Sequence, residues 1–149
     1  MPRDTKSVSA IMAAVKSRDT TPEIALRKAL FAMGLRYRLG GSSQGSALPG
    51  KPDILFLSAR VAVFVDGDYW HGNQWKLRGH KSLEEQLAGV SNRSYWLTKI
   101  KRNMERDRRV NANLKKAGWK VVRIWESAIM KSPERVAAKV AQVVRKMGG

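Results

Sequence analysis

Two kinds of hydrophobic pattern occur along the chain, and together they predict helices and strands. Helical spacing of apolar residues is found in residues 5–16, 96–116 and 133–147. Strand patterns are found in residues 35–39, 54–57, 61–65 and 119–125. The run at 61–65 is continuously apolar, which is typical of a strand buried on both faces. The chain is therefore predicted to form an α/β domain.

A further helix is predicted from its end signals. Thr20 offers a hydroxyl cap, Pro22 is tolerated in the first turn, and Glu23 stands three residues after the cap. The helix is expected to run to about Met33, because Gly34 supplies a natural stop. An acidic residue in the first turn stabilises a helix, so this stabilisation is the alternative to a catalytic role for Glu23.

The second and third predicted strands are joined by residues 58–60 alone. A link this short predicts an antiparallel hairpin, since parallel strands need a crossover of about a dozen residues. The hairpin would place Asp53 across from Val65 and Asp66. Carboxylate oxygens are suitable ligands for Mg²⁺, so Asp53, and Asp66 as a further candidate, could bind a metal. The alternative is that both aspartates only close strand ends.

Two polar residues interrupt the inward face of the helix predicted over 96–116. At about 3.6 residues per turn, one face contains Trp96, Ile100, Asn103, Asp107, Val110 and Leu114. A carboxylate on such a face must be paired or bind a metal, which makes Asp107 a candidate site residue. Pairing with a neighbouring arginine is the alternative. His71 is a candidate general base, because a neutral imidazole accepts a proton near neutral pH. The alternative is an ordinary surface or hydrogen-bonded histidine.

The charge of the chain indicates a polyanionic partner. Its 149 residues include 29 Lys and Arg against 12 Asp and Glu, a net charge of +17. No segment approaches the roughly 18 consecutive apolar residues of a membrane span. No basic amphipathic stretch lacks an expected core partner either, so nucleic acid is favoured over a membrane surface. The length is typical of a single domain, residues 1–149.

Composition also limits the chemistry and the cellular location. The chain has no cysteine, which excludes disulfides and thiolate metal sites. The first ten residues contain no apolar signal core, so a cytoplasmic location is expected. Residues 40–50 are rich in Gly and Ser and are expected to form a flexible loop.

Five motifs together resemble the Vsr family of very-short-patch mismatch endonucleases, in the same order and at similar spacing. They are SRDTTPE, LPGKPDILF, VFVDGDYWHG, WLTKIKRNMERDRR and GWKVVRIWE, and the resemblance covers residues 5–126. It implies a restriction-endonuclease-like fold, in which helices flank a mixed central β-sheet. It also implies an enzyme that uses Mg²⁺ to nick one strand of double-stranded DNA beside a T:G mismatch.

The resemblance implies roles for individual residues of the predicted site. Asp53 matches the metal-binding aspartate of the family, and the backbone carbonyl of Val65 matches its partner ligand. His71 matches the histidine that activates the attacking water, with Glu23 and Asp107 as acidic supports around it. These roles agree with phosphodiester hydrolysis, which needs a deprotonated water and a metal to offset charge on the phosphate.

The resemblance also indicates how DNA would be held. Tyr69 and Trp70 match aromatic residues that the family inserts as a wedge beside the mismatch, although core packing is the alternative for both. The helix over 96–116 has basic residues all round it, some of which are expected to contact phosphates. We take four of its residues as candidate DNA contacts, Lys99, Arg102, Asn103 and Arg106.

The sequence departs from the family pattern at a structural zinc site. The positions at or near the expected Cys and His ligands hold Asp68, Asn73, Trp75 and Ser127. No zinc is therefore expected, and packing by Trp75 and Trp125 is predicted to hold the loop instead. The segment from Asp66 to Asp68 also lacks the lysine of the (D/E)xK motif of many restriction nucleases, which agrees with a histidine-based mechanism.

Two alternative functions remain open from the sequence. One is a homing or restriction-type endonuclease of the same fold that cuts matched duplex DNA. The other is a catalytically inactive DNA-binding protein, for which the same basic charge would be expected. The resemblance suggests a monomer, and repair-protein partners are not indicated by any motif.

Overall fold

The computed structural model describes residues 20–40, 48–69 and 71–148. The predicted helix over 5–16, the part of the predicted loop at 41–47, and Trp70 lie outside these residues. The helices of the described part are α1 (Thr21–Ala32), α2 (Gln74–Leu77), α3 (Leu83–Gln86), α4 (Arg93–Lys116), α5 (Glu126–Lys131) and α6 (Pro133–Lys146). The strands are β1 (Arg38–Leu39), β2 (Ile54–Phe56), β3 (Val61–Asp66) and β4 (Lys120–Trp125).

The described strands form one mixed sheet in the order β1-β2-β3-β4. The pairs β1–β2 and β2–β3 are antiparallel, and β4 is parallel to β3. The predicted antiparallel hairpin is confirmed, but its register differs by one residue from the prediction. Leu57 belongs to the turn and not to β2, so Ile54 lies opposite Val63 and the ladder does not place Asp53 directly across from Val65. The predicted strand over 35–39 pairs only at its last two residues, Arg38 and Leu39, while Leu35 and Tyr37 pack against the core.

Each face of the sheet is covered by a different set of helices. On one face, β2 and β3 contribute Ile54 and Val63 to a core with Leu26 of α1 and Val140 of α6. On the other face, alternate strand residues pack against Leu114 of α4. Four of the six residues of β3 are apolar and buried, which confirms the prediction of a strand covered on both faces.

The helix α4 connects the two parallel strands and carries the predicted polar interruption. Trp96, Ile100 and Leu114 are buried on its inward face, and Asp107 is partly buried between them. The first half of α4 lies over a small third core, formed with Leu83 and Leu87 from the segment that follows β3. The helix therefore spans both the sheet and this segment, so that Asp107 lies where the two meet.

None of the described helices is both long enough and apolar enough to cross a membrane.

Candidate active site

A cavity of about 460 Å³ lies beside the end of β3, between α4 and the residues that lead into β2. The predicted residues Asp53, Asp66, His71 and Asp107 all line it. These residues come from two strand ends, a loop and a helix, and the tertiary fold brings them together.

Asp53 is fixed to the end of β3 by backbone and side-chain hydrogen bonds. Its N–H donates to the carbonyl of Val63 at 2.9 Å, and its Oδ2 accepts from the N–H of Val65 at 2.7 Å. The side chain thus takes the place that a backbone carbonyl holds in a regular ladder, and it ties Asp53 to one of its predicted neighbours. One carboxylate oxygen is used in this bond, which leaves the other for a ligand in the cavity.

The surroundings of Asp53 make its negative charge costly. Burial raises the pKa of Asp53 to about 7, despite the opposing effect of the Val65 N–H. The carboxylates of Glu23 and Asp66 raise this pKa further, and Arg123 lowers it. A cation beside Asp53 would therefore stabilise the ionised carboxylate, as expected of a metal ligand.

His71 and Asp107 form a hydrogen-bonded pair in the cavity. The Nδ1 of His71 is bonded to Oδ2 of Asp107 and lies 3.9 Å from Oδ1 of Asp66. Burial lowers the pKa of His71, but the bond to Asp107 and the charges of both carboxylates outweigh it and raise the pKa overall. With Nδ1 occupied, Nε2 is the ring nitrogen that can accept a proton from water.

The glycine after His71 explains how the loop reaches the helix. Gly72 has a φ of +77°, and a Cβ added there would lie 2.5 Å from the Sδ of Met104 on α4. A side chain at this position would push the loop away from the helix. The close approach places His71 in contact with Asp107, three residues farther along α4.

Arg123 on β4 is a site residue that the sequence analysis missed. Its Nη1 donates to both carboxylate oxygens of Asp66, at 3.0 and 3.2 Å, and lies 3.4 Å from Oδ1 of Asp107. Its Nε donates to Asn111 at 2.7 Å, and its guanidinium lies 4.1 Å from the centre of the Phe64 ring. An arginine within the apolar strand VVRIW was the available signal, because a buried charge requires a partner.

Glu23 has the predicted cap geometry and also lies close enough to influence the site. Its N–H donates to the hydroxyl of Thr20 at 3.4 Å, which is the capping interaction expected from the sequence. The side chain is 3% exposed, and its charge raises the pKa of Asp53. The structural and functional interpretations of Glu23 are therefore compatible.

An open groove of about 790 Å³ runs along the exposed side of α4. All four helix residues predicted to contact DNA line this groove, namely Lys99, Arg102, Asn103 and Arg106. Arg106 also lines the cavity, so the groove and the cavity meet at this residue. The result is a continuous surface from the basic helix face to the acidic cavity.

Comparison with known proteins assigns this chain to a family. Residues 3–77 match the model of the DNA mismatch endonuclease Vsr family. A type II nicking enzyme of Neisseria meningitidis serogroup C, V.NmeDIP, is 44% identical over 134 residues, which are 90% of this chain and 83% of the relative. The chain belongs to the Vsr family.

Two other relatives agree with the assignment. The type II nicking enzyme V.HpaIIP of Haemophilus parainfluenzae is 36% identical over 89% of this chain and 86% of its own length. The DNA mismatch endonuclease Vsr of Escherichia coli K12 is 34% identical over 79% of this chain and 68% of its own length. The predictions of a nuclease family and of a restriction-endonuclease-like α/β fold are confirmed.

The cavity of this Vsr-family protein offers two places for a divalent cation. Ligand atoms of Asp66, His71 and Asp107 lie within 4.8 Å of one another. However, Arg123 contacts both of these carboxylates, and its positive charge would oppose a metal ion there. Asp53 forms no ion pair with a guanidinium among the described residues, although the charge of Arg123 lowers its pKa, so a divalent cation would meet less opposition beside Asp53.

The loop of this Vsr-family protein is held by a group of hydrogen bonds centred on Asp68. Its carboxylate accepts from Nδ2 of Asn73 at 2.8 Å, from Oγ of Ser127 at 2.8 Å and from the N–H of Ser127 at 3.0 Å. Trp75 packs against the third core, as the sequence analysis expected, but the hydrogen bonds were not anticipated. They connect the loop after β3 to the start of α5.

The structure places Tyr69 against the third core. Its ring centre lies 6.3 Å from that of Trp96 in an edge-to-face arrangement, and burial raises the pKa of its hydroxyl. The side chain is partly buried and does not line the groove on α4. Insertion of Tyr69 and Trp70 into DNA stays a prediction, with Trp70 outside the described residues.

Proposed function

We propose that this protein is a Mg²⁺-dependent endonuclease that nicks one strand of duplex DNA at a T:G mismatch. The observation that carries the proposal is the His71–Asp107 pair in the same cavity as the buried carboxylate of Asp53. A base for water and a metal ligand are the two requirements of phosphodiester hydrolysis. The names of the relatives, which specify nicking and mismatch endonuclease activity, support the choice of substrate.

Asp53 and the backbone carbonyl of Val65 would hold the Mg²⁺ ion. When bound, the ion offsets negative charge on the phosphate and on the leaving oxygen. Asp66 is tied to Arg123 by two contacts, so we assign it to holding the site rather than to direct ligation. Glu23 contributes negative charge behind Asp53, which increases the attraction for a cation.

His71 would accept the proton of the attacking water at Nε2. Asp107 holds the opposite ring nitrogen and stabilises the imidazolium that forms when the proton is transferred. Arg123 lies 3.4 Å from Asp107 and thereby restrains the carboxylate that orients the imidazole. The raised pKa of His71 allows it to retain the proton until it is returned to solvent.

The duplex would lie along the groove of α4 with its backbone crossing Arg106. Lys99, Arg102 and Arg106 offer positive charge to phosphates, and Asn103 offers an amide that can contact a base or a sugar. The meeting of groove and cavity at Arg106 would lead one strand toward His71. We propose that a monomer acts in this way in the cytoplasm.

The test uses strand-labelled duplexes that are identical except for a central T:G mispair or T:A pair, incubated with Mg²⁺ or with EDTA on denaturing gels. The proposal requires a Mg²⁺-dependent nick in the T strand of the mispaired duplex. Because the flanking sequence affects recognition, a pool with randomised flanks is run in parallel. Equal cutting of both duplexes would indicate a restriction-type or homing enzyme. Salt-sensitive binding of the pool without cleavage in Mg²⁺ or Mn²⁺ would indicate a binding protein.

A further inference from the structure

The cavity has more negative than available positive charge for a phosphate substrate. Three carboxylates line it, those of Asp53, Asp66 and Asp107. Of the arginines that line it, Arg123 is engaged with two of these carboxylates, and Arg106 lies at the mouth, where the cavity meets the groove. Because the carboxylates repel a phosphodiester, its entry calls for a cation inside the cavity in addition to the proposed Mg²⁺ and to Arg106 at the mouth.

Lys51 is a lining residue that meets this requirement and that the proposed mechanism does not use. It stands two residues before Asp53, and its side chain is exposed. Within residues 20–40, 48–69 and 71–148, no carboxylate lies at ion-pair distance from its ammonium group. Its charge is thus available to a ligand in the cavity.

The backbone around Lys51 is held in an unusual conformation. Lys51 has a φ of +51°, in the left-handed region that residues with a side chain seldom adopt. It follows Gly50, where an added Cβ would lie 2.5 Å from Cγ1 of Val110 on α4, and precedes the fully buried Pro52. The turn is therefore fixed on both sides, and strained backbone of this kind often occurs at functional sites.

We propose that Lys51 binds the phosphate group that is cleaved, with its ammonium donating to a non-bridging oxygen. This inference rests on the proposed endonuclease function and adds to it the residue that receives the substrate in the cavity. A lysine at this place would offset the charge that grows on the phosphate during attack by water. It would also keep the phosphate beside Asp53, to which the rigid turn connects it.

Arg60 provides a matched control in the hairpin that follows Lys51. It also has a positive φ, +56°, and its N–H donates to the carbonyl three residues before it at 3.3 Å, as that of Lys51 does at 3.4 Å. Arg60 lies in the turn between β2 and β3, whereas Lys51 precedes β2. It does not line the cavity, so removal of its charge tests the general effect of losing a basic residue at a left-handed position.

The first measurement is the salt dependence of duplex binding in EDTA for wild type, Lys51→Gln and Arg60→Gln. Loss of one phosphate contact should reduce the slope of log Kd against log salt by about one in Lys51→Gln. Arg60→Gln should keep the wild-type slope. An unchanged slope in Lys51→Gln, or an equal change in both variants, would overturn the proposal. Because no cleavage is required, this result stands even if the proposed endonuclease function fails.

The second measurement is single-turnover cleavage of the mispaired duplex. Lys51→Gln should reduce the rate constant by about 10², the usual scale for removing one donor to a reacting oxyanion. Lys51→Arg should retain more of the rate than Lys51→Gln, because it keeps the charge. Lys51→Gly should fold as stably as wild type, since glycine accepts the positive φ, yet cleave as slowly as Lys51→Gln. If Lys51→Gln reduced the salt slope but cleaved at the wild-type rate, Lys51 would contact a phosphate other than the one that is cleaved, which would contradict the proposal.

Discussion

The cavity and the groove lie on the same helix, but they are built in opposite ways. In the cavity, the polar groups of Asp66, His71 and Asp107 are at least partly buried, and each contacts a specific partner. In the groove, Lys99 and Arg102 are exposed side chains on a solvated helix face. Buried groups interact strongly and depend on geometry, whereas exposed charges are screened and act additively. A single substitution should therefore be far more damaging in the cavity than in the groove.

The largest effect is expected from Asp53→Asn, which should abolish detectable cleavage. The substitution removes the carboxylate that would bind Mg²⁺ but keeps an oxygen that can accept from the N–H of Val65. Duplex binding should stay within a few fold of wild type, since the basic groove is unchanged. Cleavage assays and duplex-binding titrations check both statements, and electron paramagnetic resonance of Mn²⁺ measures the loss of metal binding. Full activity in this variant would remove Asp53 from the metal site.

The next largest effect is expected from His71→Ala. Loss of the general base should slow the chemical step by about 10² to 10⁴. Mn²⁺ binding should be largely retained, because Asp53 and the Val65 carbonyl are unaltered. Single-turnover kinetics give the rate, and His80→Ala is the control, since His80 does not line the cavity. A wild-type rate in His71→Ala would show that another group activates the water.

A smaller effect, on stability, is expected from the raised pKa of Asp53. In the folded protein this pKa is about 7, against 3.8 for an ordinary aspartate, so the unfolded carboxyl loses its proton first as pH rises. The cost of ionised Asp53 to folding therefore grows from about pH 4 to about pH 7 and is constant above that. In EDTA, Asp53→Asn should gain on the order of 2–4 kcal/mol over wild type at pH 8 and little at pH 4. Urea denaturation across this range measures the difference, and a gain independent of pH would contradict the assignment.

The smallest effect is expected in the groove, from Arg102→Gln. Duplex affinity should fall only a few fold at moderate salt, and the slope of log Kd against log salt should decrease by about one. Cleavage at saturating protein should remain close to wild type. Lys116→Gln is the matched control, because Lys116 is on the same helix but lines neither the groove nor the cavity. If Arg102→Gln slowed the chemical step as much as His71→Ala does, the groove would be as sensitive to single substitutions as the cavity, and the comparison above would be wrong.

The hydrophobic pattern predicted the parts of the site that depend on local order. The short link between β2 and β3 required an antiparallel hairpin, and the side chain of Asp53 reaches the N–H of Val65 although the register is one residue from the predicted one. The helical period placed Asp107 on the inward face of α4. Both predictions succeeded because they follow from backbone geometry within one or two neighbouring elements.

Other site residues could not be predicted because their partners are distant in sequence. Arg123 lies 57 residues from Asp66, with which it pairs, and Ser127 lies 59 residues from Asp68. Neither pair has a spacing that local structure determines. The parallel pairing of β3 with β4 brings Asp66 opposite Trp125, close enough for Arg123 to reach it.

The sequence by itself determined the fold class, the basic helix and the aspartates of the hairpin, and its resemblance to a family pointed to His71. These features depend on composition, periodicity and short-range order, which the linear chain carries directly. Only the tertiary structure decided which charges are already paired. Arg123 joins Asp66 to Asp107, while Lys51 stands in the same cavity without an ion pair to a carboxylate of the described residues. Charge pairing depends on three-dimensional distance and burial, because the energy of two charges changes with their separation and with the surrounding dielectric.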